Sequence, residues 1–329
     1  MQISPVRFNN FKLNKTNNTS SFGSICADAN GKTEHKYKAY TLTGPNDYRI
    51  IKKSSTRIFR DLPSELAIAR MLNPEQKTQI KVLGCADGSE AWGYAIALKE
   101  TMGENAEKNV SIQAIDKAPH MIDAAKTGCL VLSDIERKYA EGTTSVFKEK
   151  SPVAGKGWNQ YFIKTTRPEE FNKILAEYPC MKYLEHDPVV NKKIGSGLDW
   201  YEVNKQGLPN VTFECGDMLD YLEPDKEAEN VVYVLANSAG YVFEKNPNDF
   251  FNIFNEIKAT SKGKNVYIAM GNIETLILDN YMAVINELPV PIKMLINSLG
   301  FKNIPENELS KLGIYSTSGT SNKLYKLET

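Results

Sequence analysis

The stretch that decides the fold is Val82-Leu83-Gly84-Cys85-Ala86-Asp87-Gly88-Ser89-Glu90, residues 82–90 of a 329-residue chain. It joins an apolar pattern typical of a buried strand to a helical pattern that begins at Ser89. The small residues at positions 84, 86 and 88 let the backbone approach a ligand closely. In α/β proteins such turns lie above the carboxyl edge of a parallel sheet, where nucleotides bind. The stretch therefore predicts a nucleotide-like ligand at a strand-to-helix turn.

Strand and helix patterns alternate on both sides of this turn, which predicts βαβ units and a mostly parallel sheet. The predicted strands span residues 79–83, 110–115, 211–215, 231–235 and 265–270. The predicted helices span residues 61–72, 89–102, 119–126, 250–260 and 292–299. Residues 313–316 and 323–327 are expected to form a closing hairpin. The fold class is α/β.

The charges at the turn indicate which nucleotide binds. A G-x-G-x-x-G fingerprint starting at Gly84 would need glycine at Ala86 and Ser89, so it fails twice. Asp87 and Glu90 lie where a pyrophosphate would sit on the helix N-terminus, and they would repel it. A ligand with an ammonium and a sulfonium would be attracted instead. This favours S-adenosylmethionine (SAM) over a dinucleotide.

A second acid supports the same ligand. Asp116 ends the next predicted strand, where a carboxylate can accept hydrogen bonds from both ribose hydroxyls. Two other interpretations stay open. Glu90 could be an ordinary first-turn carboxylate favoured by the helix dipole, and Asp116 could be a strand-end or N-cap acid before Pro119.

With these residues in view, the chain resembles the CheR-type family of chemotaxis-receptor glutamate methyltransferases over about residues 54–274. The segments that carry the resemblance are Thr56-Arg57-Ile58-Phe59-Arg60-Asp61, the turn at residues 85–90, the run from Asp116 through Ala125-Lys126-Thr127-Gly128 to Leu132-Ser133-Asp134, the Asn237–Tyr241 motif, and Gly271-Asn272-Ile273-Glu274. The order and spacing of the segments are more specific than any one of them. The resemblance implies a Rossmann-like, seven-stranded class I SAM methyltransferase sheet with an inserted small subdomain.

The resemblance also implies roles for particular residues. The implied cofactor-binding residues are Thr56, Gly84, Gly88, Glu90, Asp116, Asp217, Met218, Asn237 and Ser238. Among these, Glu90 would hold the methionine amino group, Asp116 the ribose hydroxyls, and Asp217 the adenine amino group, with Met218 flanking the ring. Arg60 would grip the substrate carboxylate, and Tyr241 would orient the substrate or the departing sulfur.

Simpler roles are open for three of these residues. Met218 could be ordinary core packing, and Asn237 could belong to a strand-end turn. Arg60 could form an ion pair with Asp61 or Glu65 on a solvated helix face.

The composition of the chain and the order of its segments lead to expectations about domains, partners, metals and localisation. Residues 1–45 form a polar arm that we expect to be flexible, and residues 46–329 form the methyltransferase domain, with an insertion at about 132–209. Lys plus Arg (40) equals Asp plus Glu (40), so no global field favours a nucleic-acid partner. The five cysteines and three histidines are dispersed without metal-ligand spacing, so we expect no metal. With no apolar run long enough to span a membrane and no signal peptide, a cytoplasmic protein is expected.

The resemblance implies CheR-like transfer of a methyl group from SAM to a glutamate carboxylate on a protein substrate. Two alternatives remain: N- or O-methylation of a small molecule or another protein group, with Asn237 and Tyr241 polarising the acceptor, and a catalytically silent SAM-binding sensor or scaffold. Ala236 replaces the arginine that precedes the motif asparagine in the family, so the acceptor stays open. The oligomeric state stays open as well.

Overall fold

The computed structural model describes residues 58–133, 137, 153, 158–177, 198–236, 238–239, 242, 247–271, 282–285, 288–315, 320–321 and 323–328. The helices are α1 (Leu62–Met71), α2 (Ser89–Met102), α3 (Glu104–Asn109), α4 (Pro119–Thr127), α5 (Glu169–Glu177), α6 (Pro247–Thr260), α7 (Ile292–Ser298) and α8 (Glu306–Lys311). The strands are β1 (Thr78–Leu83), β2 (Val110–Asp116), β3 (Cys129–Ser133), β4 (Phe162–Thr165), β5 (Leu198–Val203), β6 (Asn210–Cys215), β7 (Asn230–Val234), β8 (Asn265–Ala269), β9 (Met282–Ile285), β10 (Leu288–Pro291), β11 (Phe301–Asn303) and β12 (Leu324–Leu327). Within these ranges no helix is long and apolar enough to cross a membrane.

The main sheet has seven strands in the order β11-β12-β8-β7-β1-β2-β6. The strands from β8 to β6 pair in parallel, and β12 runs antiparallel to both β8 and β11. The chain therefore winds outward from β1 in both directions, and the carboxyl ends of β1, β2, β6 and β7 meet at one edge. The predicted α/β fold, a Rossmann-like seven-stranded class I SAM methyltransferase sheet, is confirmed.

The core lies on both faces of this sheet, because the side chains of the central strands alternate between two apolar layers. On β7, Val232 belongs to the layer shared with α1 and α2. Val231 and Tyr233 belong to the layer shared with α6. Both faces of β7 are therefore covered, which is why its residues 231–234 form a continuous apolar run instead of alternating with polar residues.

The predicted closing hairpin is wrong. β12 pairs with β8 and β11 and not with residues 313–315, and residue 316 lies outside the described residues. Gly313 has φ +71° and its N–H donates to the carbonyl of Ser310, so it ends α8 as a left-handed residue and starts no strand. Phe301 of β11 is fully buried, with its ring 5.5 Å from that of Phe254 on α6, and it brings β11 to the sheet edge beside β12.

A second, antiparallel sheet has the order β3-β5-β4, and its strands β4 and β5 lie within the segment that the sequence predicts to be an insertion. Its buried aromatic residues Tyr161, Phe162 and Tyr201 join the same apolar layer as α1 and α2. The small sheet therefore packs directly against the main core. Its status as an inserted subdomain stays a prediction, and the predicted polar arm at residues 1–45 lies outside the described residues.

Candidate active site

The glycine loop, Gly84–Gly88, connects β1 to α2 at the carboxyl edge of the sheet. Gly84 and Gly88 have φ of +90° and +83°, a region that side chains rarely adopt. A Cβ on Gly84 would lie 2.6 Å from the Cβ of Ser238, and one on Gly88 would lie 2.8 Å from the ring of Phe213. Both glycines are therefore required by backbone conformation and by close packing.

Asp116 ends β2 beside this loop and holds it in place. One carboxylate oxygen accepts the N–H of Ala86 at 2.9 Å, and the other accepts the N–H of Ala118 at 2.8 Å. Burial raises the pKa of Asp116, and these backbone hydrogen bonds act in the opposite direction. A carboxylate can accept about four hydrogen bonds, so Asp116 retains capacity for two hydroxyl groups.

Glu90 lies in the first turn of α2 with its side chain only 5% exposed, and Arg60 reaches it from the segment before α1. Arg60 Nη2 lies 3.1 Å from Glu90 Oε1. Burial raises the pKa of Glu90, and the neighbouring guanidinium acts against that rise. Glu90 does lie in the first turn of α2, but it is buried and ion-paired there instead of being exposed on the helix surface. Asp61 and Glu65, the other candidate partners of Arg60, are buried and do not lie on a solvated helix face.

Asp217 and Met218 lie past the end of β6, on the other side of β2. Asp217 caps the short 3-10 helix Met218–Tyr221 by accepting the N–H of Leu219 at 3.2 Å, and its other oxygen lies 2.7 Å from Lys117 Nζ. Met218 is half-buried against the apolar layer of α6. The roles predicted for these two residues around adenine stay predictions.

The remaining predicted residues lie near β7 or before α1. Ser238 follows β7, is buried, and its Oγ has no hydrogen-bond partner in the described part of the chain. Thr56, Asn237 and Tyr241 lie outside the described residues. The described site thus brings together the glycine loop, Glu90, Asp116, Arg60 and Ser238.

The charges of this site fit SAM. Asp87, Glu90 and Asp116 surround the loop, and the buried Asp87 carboxylate accepts the N–H of Ser89 at 3.0 Å. A pyrophosphate on the N-terminus of α2 would face these acids, whereas an ammonium and a sulfonium would be stabilised by them. The Ser238 hydroxyl, which has no hydrogen-bond partner among the described residues, offers one more polar contact. In this arrangement Glu90 would hold the methionine ammonium and Asp116 the ribose.

Sequence reasoning missed a second buried ion pair behind the site. Lys323 Nζ lies 2.9 Å from Asp61 Oδ1, and both side chains are 6% exposed. The two residues are 262 positions apart, so no local pattern could have paired them. Lys323 immediately precedes β12, so its pairing with Asp61 depends on the position of β12 between β11 and β8. The predicted hairpin did not place β12 there.

The fold, together with the family match over residues 54–154, identifies the protein as a SAM-dependent methyltransferase with SAM as its cofactor. More particularly, residues 54–154 match the CheR methyltransferase, SAM binding domain. The match confirms the resemblance to the CheR type over those residues. No curated protein matches the chain.

Several solved structures are similar to this chain. One is a SAM-dependent methyltransferase from Geobacter sulfurreducens in complex with S-adenosyl-L-homocysteine, at 11% identity, covering 84% of this chain and 80% of that chain, with a TM-score of 0.32. Another is a SAM-dependent methyltransferase from Leishmania major, at 11% identity, covering 86% of this chain and 88% of that chain, with a TM-score of 0.33.

Proposed function

We propose that the protein transfers a methyl group from SAM to a carboxylate on a protein side chain, as CheR-type enzymes do with glutamate. The match of residues 54–154 supports the enzyme type. The acceptor class is supported by the position of Arg60, which is the observation that carries the proposal.

Arg60 is suited to hold an anionic acceptor at the methionine end of the cofactor site. Its side chain is 17% exposed, so it is largely but not fully withdrawn from water. A guanidinium presents five N–H donors in a rigid fork that matches carboxylate geometry. Arg60 can therefore bridge Glu90 and an incoming carboxylate. Partial desolvation strengthens both contacts.

A carboxylate acceptor also suits the titratable groups at the site. SAM, when bound, supplies a methyl carbon activated by the sulfonium. A carboxylate is ionised at neutral pH, so it needs no general base. His120 is the one histidine in the described ranges; burial lowers its pKa, an effect that Asp116 opposes. The residues of this chain then contribute alignment and exclusion of water, and alignment can be worth about 7–11 kcal/mol.

The chemical stability of the product tests this function. The protein is incubated with methyl-tritiated SAM and fractionated cell protein, and the labelled protein is then exposed to mild alkali. We expect label on protein that is released as volatile methanol, because carboxyl esters hydrolyse under these conditions. Alkali-stable label would point to N- or O-methylation of another group. Binding of SAM without any transfer would point to the silent sensor.

Arg60→Lys and Arg60→Met refine the test, with Glu104→Gln on the exposed face of α3 as the control. We expect Met to lower turnover more than Lys, because Lys keeps the charge but not the fork. Calorimetric titration with SAM separates the two possible roles of Arg60. Loss of turnover with retained SAM affinity supports the substrate clamp, whereas loss of SAM affinity in both variants would contradict it.

A further inference from the structure

Lys117 is a charged residue at the carboxyl edge of the sheet that takes no part in the proposed methyl transfer. It directly follows Asp116 at the end of β2, and its side chain is 52% exposed. Its Nζ lies 2.7 Å from the Oδ2 atom of Asp217, which follows the end of β6. The ammonium therefore bridges the ends of two neighbouring strands, on the side where the adenosine half of the cofactor is predicted to bind.

The backbone segments that carry this ion pair are fixed relative to each other. β2 and β6 pair in parallel up to Asp116, and the N–H of Gly216 donates to the carbonyl of Asp116 at 3.0 Å. Gly216 is also closely packed, since a Cβ there would lie 2.5 Å from the ring of Tyr221. Lys117 and Asp217 therefore extend from segments whose separation is set by the sheet and not by their own ion pair.

The carboxylate of Asp217 has a donor on each of its oxygens. Oδ1 accepts the N–H of Leu219 at 3.2 Å, and Oδ2 is held by Lys117. The terminal torsion of an aspartate is broad, so a donor on one oxygen leaves the plane of the carboxylate poorly defined, whereas donors on both oxygens fix it. A carboxylate can accept about four hydrogen bonds, so these two donors do not prevent it from accepting one from a ligand.

We propose that Lys117 is a positioning residue that sets the preference of the cofactor site for adenine, by fixing the plane of the Asp217 carboxylate. The amino group of adenine donates hydrogen bonds, and an ionised carboxylate can only accept them. Hypoxanthine has an oxygen in that place, which would face the carboxylate as a second acceptor. The inference rests on the predicted contact between Asp217 and the adenine amino group, and it is independent of the methyl acceptor.

The preference is measured with S-adenosylhomocysteine and S-inosylhomocysteine, which differ only in the base. Both carry the same charges, so the ratio of their dissociation constants removes effects on folding and on the methionine end of the site. We expect the wild type to prefer S-adenosylhomocysteine. Lys117→Met should reduce the ratio about two- to fivefold, the size of effect that an exposed ion pair can produce. Lys108→Met, which removes an exposed lysine paired with Glu104 on α3, is the matched control and should keep the wild-type ratio.

Asp217→Asn separates a positioning role from a direct contact between Lys117 and the base. Asn presents an amide in place of the carboxylate, so this variant alone should lose most of the preference. Adding Lys117→Met to Asp217→Asn should then change the ratio little, because the residue through which Lys117 acts is gone. A ratio in Lys117→Met equal to or above that of the wild type, an unchanged ratio in Asp217→Asn, or the same loss in both backgrounds would overturn the proposal.

A salt titration of the wild type protects the test against a poorly folding variant. Raising the salt from about 0.1 M to about 1 M shortens the screening length from about 10 Å to about 3 Å, which weakens a half-exposed ion pair. We expect the wild-type ratio to fall toward that of Lys117→Met, whose own ratio should not change. A wild-type ratio that is independent of salt would contradict the proposal. These binding measurements need no acceptor, so their outcome is separate from that of the alkali test.

Discussion

Arg60 and Glu90 show how much the site depends on single residues. Each side chain was predicted from the sequence to face a different part of the reaction, the acceptor and the cofactor. The 3.1 Å contact between the two side chains places these two predicted roles next to each other. Their residue types and positions could be predicted from the turn at residues 82–90 and from the family resemblance. Their contact could not, because 30 residues separate them and the segment of Arg60 has no helical or strand pattern of its own.

We expect Glu90→Gln and Asp116→Asn each to weaken SAM binding by about 1–3 kcal/mol, the range for a lost charged hydrogen-bond partner. Gln and Asn keep the size of the side chains and remove the negative charge that a cationic ligand needs. Isothermal titration with SAM measures the change, with Glu104→Gln as the control for loss of an exposed acid. Unchanged affinity in both variants would refute the assignment of the site.

The raised pKa of the buried Glu65 carboxyl should make the stability of the protein depend on pH. Because the pKa of Glu65 is raised in the folded protein, the folded state holds a proton that the unfolded state has lost. This unfavourable contribution is absent below the unfolded pKa and grows as pH rises toward the folded pKa, at about 1.4 kcal/mol per pH unit. Glu65→Gln should therefore gain stability over the wild type as pH rises through this window, measured by urea unfolding. A stability difference that is constant with pH would contradict it.

At the scale of elements, segments with a clear apolar pattern were predictable, and the shortest elements near the C-terminal end were not. The predicted helix at residues 89–102 coincides with α2, because its apolar residues and the preceding glycine loop are local features. β11 has three residues and α8 has six, too few for a periodic pattern. The position of β12 between β8 and β11 depends on contacts distant in sequence, and it overrode the expected pairing of neighbours.

Lys323, which precedes β12, should contribute strongly to the stability of the fold through its ion pair with Asp61. Lys323→Met should destabilise the protein by about 3–5 kcal/mol, because it leaves Asp61 as a buried carboxylate without its cation. Lys311→Met, at the exposed end of α8, is the matched control and should change stability little. Chemical denaturation measures both variants. A loss no larger than that of the control would mean that the ion pair does not hold β12 to the segment before α1.

At the scale of the whole molecule, the predicted site residues are brought together at the edge formed by the carboxyl ends of the parallel strands. The ends of β1, β2, β6 and β7 meet there, and they carry the glycine loop, Asp116, Asp217 and Ser238. The sequence predicted this edge because strand ends of a parallel sheet converge whatever the details of the intervening segments. It could not predict how the small β3-β5-β4 sheet packs against the core, since that depends on aromatic residues from separate strands.

We expect SAM binding at this carboxyl edge to stabilise the whole fold, because the predicted contacts come from the ends of four strands. SAM at about one hundred times its dissociation constant should add about 2.7 kcal/mol to the free energy of unfolding. The midpoint of thermal unfolding should rise accordingly with SAM and stay unchanged with NAD. An equal rise with NAD would contradict the charge argument for the glycine loop.

A crystal structure of the protein grown with S-adenosylhomocysteine tests the central claim most directly. We predict the ligand amino group within hydrogen-bond distance of Glu90, the ribose hydroxyls on Asp116, and the sulfur facing a cavity that Arg60 borders. A ligand bound away from the glycine loop, or with its amino group distant from Glu90, would contradict the account.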